Sequence, residues 1–132
     1  MRKVSTIAIA VATLMASGLA LAGSTTFSQV SILPGVSASG SMVGARNSAD
    51  TVQFIQCTTY ANYAPNTPPY EYGSCFAKNA AGAYIQCFIG NSQQLAVMRS
   101  VGPASYIYFK LAADGYTCGQ VTVTNSSSRI QY

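Results

Sequence analysis

The stretch Tyr72–Gly90, YGSCFAKNAAGAYIQCFIG, decides how the rest of the chain is read. Two runs of strand-like composition, Tyr72–Lys78 and Ala83–Ile89, flank Asn79-Ala80-Ala81-Gly82, and each run carries one cysteine. A three-residue connection, Ala80-Ala81-Gly82, with Gly82 as its left-handed residue, sets Asn79 opposite Ala83 and Cys75 opposite Cys87. The expectation is a β-hairpin against which the other strands are laid.

Upstream, Arg2 and Lys3 precede an apolar run from Val4 to about Ala16, and Ala20-Leu21-Ala22 forms a small-residue end. The pattern predicts a secretory signal peptide over residues 1–22, cut after Ala22. The apolar run is short for a bilayer span of about 20 residues. From Gly23 to Tyr132 the expectation is a single small domain of about 110 residues with no membrane span, secreted or periplasmic, of the kind exported by bacteria.

The full chain has seven Lys and Arg against three Asp and Glu. Without the leader, Arg46, Lys78, Arg99, Lys110 and Arg129 stand against Asp50, Glu71 and Asp114, and five minus three gives +2. The cations are spread singly, with no patch of the kind that tracks phosphates, so no nucleic acid is expected as a partner. Low charge combined with abundant Val, Ile, Phe and Tyr argues against disorder.

Cys57, Cys75, Cys87 and Cys118 make an even set, which in an oxidising compartment reads as two disulfides. Of the three pairings, Cys75 with Cys87 and Cys57 with Cys118 is preferred, because it staples the hairpin and ties an early strand to a late one. The reservation is geometric: directly opposite strand residues have Cβ atoms about 4.5–5.5 Å apart, whereas a disulfide wants roughly 3.5–4.5 Å. No C-x2–4-C pair occurs, so a zinc site is not expected.

Along the chain, Thr26–Leu33 is a candidate strand, and Val36, Ala38, Gly40 and Met42 alternate with Ser37, Ser39 and Ser41 after the break at Pro34-Gly35. Arg46–Asp50 reads as a turn and Thr51–Thr58 as a central strand. Thr59–Glu71, TYANYAPNTPPYE, contains three prolines and is expected to be a surface loop of about a dozen residues. Asn91–Pro103 carries helix signals: Asn91 or Ser92 as cap, Asn91 with Gln94 as a capping-box-like pair, Leu95, Met98 and Val101 on one face, and Gly102-Pro103 as stop. This predicts one short helix at about 92–101. Ser105–Leu111 and Tyr116–Thr124 form a second hairpin across Ala112-Ala113-Asp114-Gly115. Cys118 is out of phase with Val121 and Val123, which places a bulge near Gly119. Ile130 and Tyr132 read as a closing edge strand. The sum is a mainly β, two-layer antiparallel sandwich-like domain of about seven short strands with one helix. A single curved sheet on the helix is the alternative.

The chain contains no His, which removes Ser-His and Cys-His nucleophile pairs and imidazole metal ligands. Its three carboxylates are isolated in sequence, and Asp50 and Asp114 fall in turns where Asp bonds its own backbone. No S-x-x-K frame, phosphate cradle or calcium loop is present. The expectation is a non-enzymatic protein with no cofactor and no metal. It reads as a binding module whose contacts come from Tyr60, Tyr63, Tyr70 and Tyr72 in the Tyr/Pro loop, and from the Tyr106/Tyr108/Lys110 face. The partner is an unidentified protein or glycan at the cell surface, with the lack of Trp counting against sugar stacking. The alternative is a self-associating structural subunit of an extracellular fibre, coat or matrix, suited by low charge and strand-rich composition.

Overall fold

The computed structural model describes residues 27–126. The expected leader over 1–22, the first residue of the Thr26–Leu33 run and the closing strand at Ile130 and Tyr132 lie outside the described residues.

The hairpin at the centre of the sequence forms as expected. Its strands are Thr67–Lys78 and Tyr84–Ile89, with Cys75 facing Cys87 and Ala77 facing Ile85. Asn79 closes the turn twice: its N–H donates to the Ala83 carbonyl at 3.0 Å, and its Oδ1 accepts from the Ala83 N–H at 2.9 Å. Gly82 sits at φ 85°, where a side chain would be strained.

The described chain folds into seven strands and two helices: β1 Ser31–Leu33, β2 Ser37–Ser41, α1 Met42–Arg46, β3 Phe54–Ala64, β4 Thr67–Lys78, β5 Tyr84–Ile89, α2 Ser92–Met98, β6 Tyr106–Leu111 and β7 Cys118–Thr124. Two antiparallel sheets form, one ordered β1-β2-β6-β7 and one ordered β3-β4-β5. Alternation along each strand sends one face inward. Ala38, Ile107 and Phe109 from the first sheet meet Ile55, Ala77, Ile85 and Ile89 from the second, and Leu95 and Met98 of α2 join them. The bulge falls where the phase of Cys118 predicts it. Lys110 faces Gln120 but Leu111 faces Cys118, so Gly119 is the extra residue.

Three local expectations are corrected. The Arg46–Asp50 turn is preceded by a second helix, the short α1, because Ser41 is an N-cap whose Oγ accepts from the Gly44 N–H at 3.1 Å. Helix α2 is shorter than 92–101, since Ser100 and Val101 turn to carbonyls only three residues back. Asn91 caps α2 by accepting from the N–H groups of Gln93 and Gln94, while the Gln94 side chain donates to the Cys118 carbonyl at 3.0 Å instead of completing a box.

The disulfide pairing also differs from the preferred one. Cys57 joins Cys75, and Cys87 joins Cys118. Cys57, Cys75 and Cys87 form one row across β3, β4 and β5, so Cys75 stands opposite both neighbours. Backbone direction decides between them. A strand residue turns its N–H and C=O to the same side, and the Asn79 to Ala83 bond shows that odd-numbered β4 residues turn theirs toward β5. Cys75 and Cys87 are therefore the wide, hydrogen-bonded pair, while Cys57 and Cys75 are the narrow pair, with Cα atoms 4.0 Å apart. Cys87 is left to reach the other sheet at Cys118.

A non-reducing digest of the purified protein should release one peptide pair joining Cys57 to Cys75 and another joining Cys87 to Cys118; a Cys75–Cys87 peptide would refute this pairing.

Two of the three carboxylates close turns. Asp50 accepts from the N–H groups of Gln53 and Val52 and from the Gln53 side chain, and Asp114 accepts from the Thr117 hydroxyl and from the N–H groups of Tyr116 and Thr117. These donors hold both carboxyls below the usual value of 3.8, led by the backbone N–H of Gln53 for Asp50 and the Thr117 hydroxyl for Asp114. The native pKa is the lower one, so the stability contributed is present above the unfolded value and is lost as pH falls through the folded value. The thermal midpoint should be flat from pH 7 to about 5 and drop below about 4. Asp50→Asn with Asp114→Asn should melt lower at pH 7 and show a smaller acid drop; an unchanged acid drop would assign it elsewhere.

Candidate functional site: a tyrosine-bearing hairpin arm

Thr59–Glu71 is not a loop. It is the far end of the β3–β4 hairpin, reversed at Pro65-Asn66 and continuing the pairing Thr59 to Gly73, Tyr60 to Tyr72, Ala61 to Glu71 and Asn62 to Tyr70. The prolines are accommodated by position. Asn66 takes a left-handed φ of 68° beside Pro65, and Pro68 and Pro69 fall where the register shifts between Asn62 and Ala64. β5 pairs only from Gly73 onward, so this arm extends past its neighbour strand and is exposed on both faces from Tyr60 to Glu71.

Gly73 is the point where the arm leaves the body. A Cβ there would stand 2.8 Å from Met98 Cε, 3.1 Å from Leu95 Cδ2 and 3.0 Å from the Thr58 carbonyl oxygen. Glycine thus lets α2 lie directly on the sheet. Beyond it, Arg99 at the end of α2 forms an ion pair with Glu71 of the arm, half-exposed and worth little to stability. An open cleft of about 430 Å³ separates the arm at Ala61, Pro69 and Glu71 from the start of α2 at Ser92 and Leu95.

Three of the four tyrosines expected to form the site come together. Tyr60 and Tyr72 stack with ring centroids 4.9 Å apart at 17°, and Tyr70 stacks on Tyr72 at 6.0 Å and 23°. Asn62 steadies the outer end by donating to the Tyr70 hydroxyl at 3.0 Å. The fourth, Tyr63, is 82% exposed and has odd parity, whereas the stack occupies even positions. Tyr72 is shared by both stacks, so Tyr60 and Tyr70 each keep one ring face open, and the trio presents hydroxyl groups, ring edges and these end faces to solvent.

The same outward face of the β3-β4-β5 sheet carries aromatic residues that the sequence reading did not assign. Phe88 stacks on Tyr116 at 4.6 Å, Phe54 meets Phe76 edge-on at 5.8 Å, and Tyr84 is exposed. The signal was available: facing Cys75 with Cys87 puts Ser74 beside Phe88 and Phe76 beside Gln86, all even-numbered. Tyr106, Tyr108 and Lys110 belong to the other sheet, opposite Ser41, Ser39 and Ser37 on β2, and do not join the arm. Among the described residues, no group of three His, Cys, Asp or Glu side chains is placed to hold a metal ion, and no helix is long and apolar enough to cross a membrane.

Compared with protein-family models, curated proteins and solved structures, the chain matches none.

Gly73→Ala should cost on the order of 1–3 kcal/mol by forcing α2 off the sheet. Denaturant unfolding checks this; an unchanged midpoint would mean that Met98 and Leu95 swing aside freely.

Proposed function

We propose that this protein is an exported, non-enzymatic interaction module that recognises a partner at the cell surface through its β-hairpin arm. The observation that carries this reading is the stacked trio Tyr60, Tyr72 and Tyr70, held on an arm that reaches past the body of the sheet. Tyrosines immobilised by stacking offer rigid contact area at low entropic cost, with hydroxyl groups ready to bond a partner. The arm's single charge, Glu71, is already engaged by Arg99, so recognition rests on aromatic and polar contact rather than on charge. Two disulfides suit an oxidising compartment, in keeping with export.

The alternative, a structural subunit of an extracellular fibre or matrix, is supported by a different observation: β3 is an eleven-residue edge strand without charge.

Fluorescently labelled protein applied to intact cells of the source organism tests the first reading. Tyr63→Ala combined with Tyr70→Ala should lower binding at least about tenfold while leaving the protein folded, at a stability cost of about 0.5–1.5 kcal/mol for the lost Tyr70–Tyr72 stack. Undiminished binding by that variant would reject the arm as the recognition surface.

A further inference from the structure

The two sheets have four strand edges, and three of them are short or carry an outward backbone bond to another element. β1 is three residues long and runs into Pro34. On β5, the Phe88 N–H donates to the Tyr116 carbonyl at 3.0 Å. On β7, the Cys118 carbonyl accepts from the Gln94 side chain of α2. β3 is the longest of the four, and over Phe54–Ala64 it has no charged residue and no proline; among the described residues no strand lies along its outer side and no backbone bond from another element reaches it. Because Cys57 is in a narrow pair with Cys75, the N–H and C=O groups of Cys57, Thr59 and Ala61 all point outward. An edge of this kind is a template for another strand.

We propose that the strand it takes is β3 of a second copy of this chain, paired antiparallel about a two-fold axis with Tyr60 facing the partner's Tyr60. A two-fold axis perpendicular to the sheet keeps even residues on one face and odd residues on the other. In this register Thr59 and Ala61 face each other across the axis as hydrogen-bonded pairs, which their outward groups require. Tyr60 then falls in a narrow pair, where side chains approach most closely.

The occupant follows from the side chains. Tyr60 stacks inward on Tyr72, so its other ring face looks off the sheet edge, 42% exposed. A second Tyr60 covers that face and joins the two trios into one row of six rings. An uncharged strand meets its own copy without like-charge repulsion. Pairing from Gln56 to Ala64 makes a ladder roughly 30 Å long. This goes beyond partner recognition by the arm, because pairing uses the backbone edge and leaves the hydroxyl rims open.

Sedimentation equilibrium of the purified, disulfide-intact protein provides the test. A reversible monomer–dimer equilibrium is expected. Ala61→Pro removes an outward donor while sparing the β3–β4 ladder, and Thr59→Lys places a charge on the edge; each should raise the dimer dissociation constant at least about tenfold. Val97→Ala, at an exposed position of α2 away from the edge, should change it less than about twofold. Should Ala61→Pro fail to fold, Thr59→Lys decides alone, and circular dichroism reports which case holds. A protein that stays monomeric to about 1 mM, one that grows past two copies, or a dimer indifferent to the folded edge variants would overturn the proposal. Cell binding by Thr59→Lys separates the two readings: a monomer that still binds leaves partner recognition standing.

Discussion

The direction of backbone hydrogen bonds at Cys75 is the constraint on which the β3-β4-β5 sheet depends. A strand residue turns its N–H and C=O to one side, and here the Asn79 to Ala83 bond fixes that side as β5. The consequence runs in both directions across the sheet. Toward β3, Cys75 has a narrow neighbour and takes Cys57 as its disulfide partner; toward β5, the wide spacing leaves Cys87 free to cross to Cys118. One phase thus determines that one bridge stays within a sheet and the other joins the two layers.

That second bridge lies where the layers meet. Cys87 and Cys118 are buried beside Ile89, Ile107 and Phe109, and the Phe88 backbone reaches the β6–β7 connection through Tyr116. β5 therefore couples to the opposite sheet covalently, through hydrogen bonding and through apolar contact. The covalent and hydrogen-bonded couplings act at this one edge, whereas β3, at the other, shares in the common core through Ile55.

Much of this was legible in the sequence. The Asn79-to-Gly82 turn, the Cys75–Cys87 register, the bulge at Gly119 and the Asn91 cap each follow from one residue type at one spacing. The arm was not legible, because Pro65, Pro68 and Pro69 suggest irregular backbone. Proline excludes only positions that must donate to a neighbouring strand, and these three sit at a turn and at a register shift. The disulfide pairing was hidden for a related reason. Sequence spacing gives Cys75 opposite Cys87, but neither the place of Cys57 in that row nor which neighbour is narrow, and that phase is set by the turn bonds of Asn79. The stacking of the tyrosines was not legible, because their parity, which separates Tyr63 from Tyr60, Tyr70 and Tyr72, required strands where a loop was expected.

The energetics of the arm bear on why it exists. Fixing the backbone costs roughly 1–2 kcal/mol per residue, and in the body of the sheet burial offsets that cost. From Tyr60 to Glu71 every residue is exposed, and the side-chain ties are few: two ring stacks at about 0.5–1.5 kcal/mol each, one exposed ion pair and one Asn62–Tyr70 bond. These local terms are small beside the ordering cost, so the arm draws its order from the ladder that continues out of the disulfide at Cys57–Cys75 and from α2 seated on Gly73. The segment contributes little to the core, and its side chains face solvent on both sides. This favours a surface kept for contact with another molecule over one kept to hold the fold together.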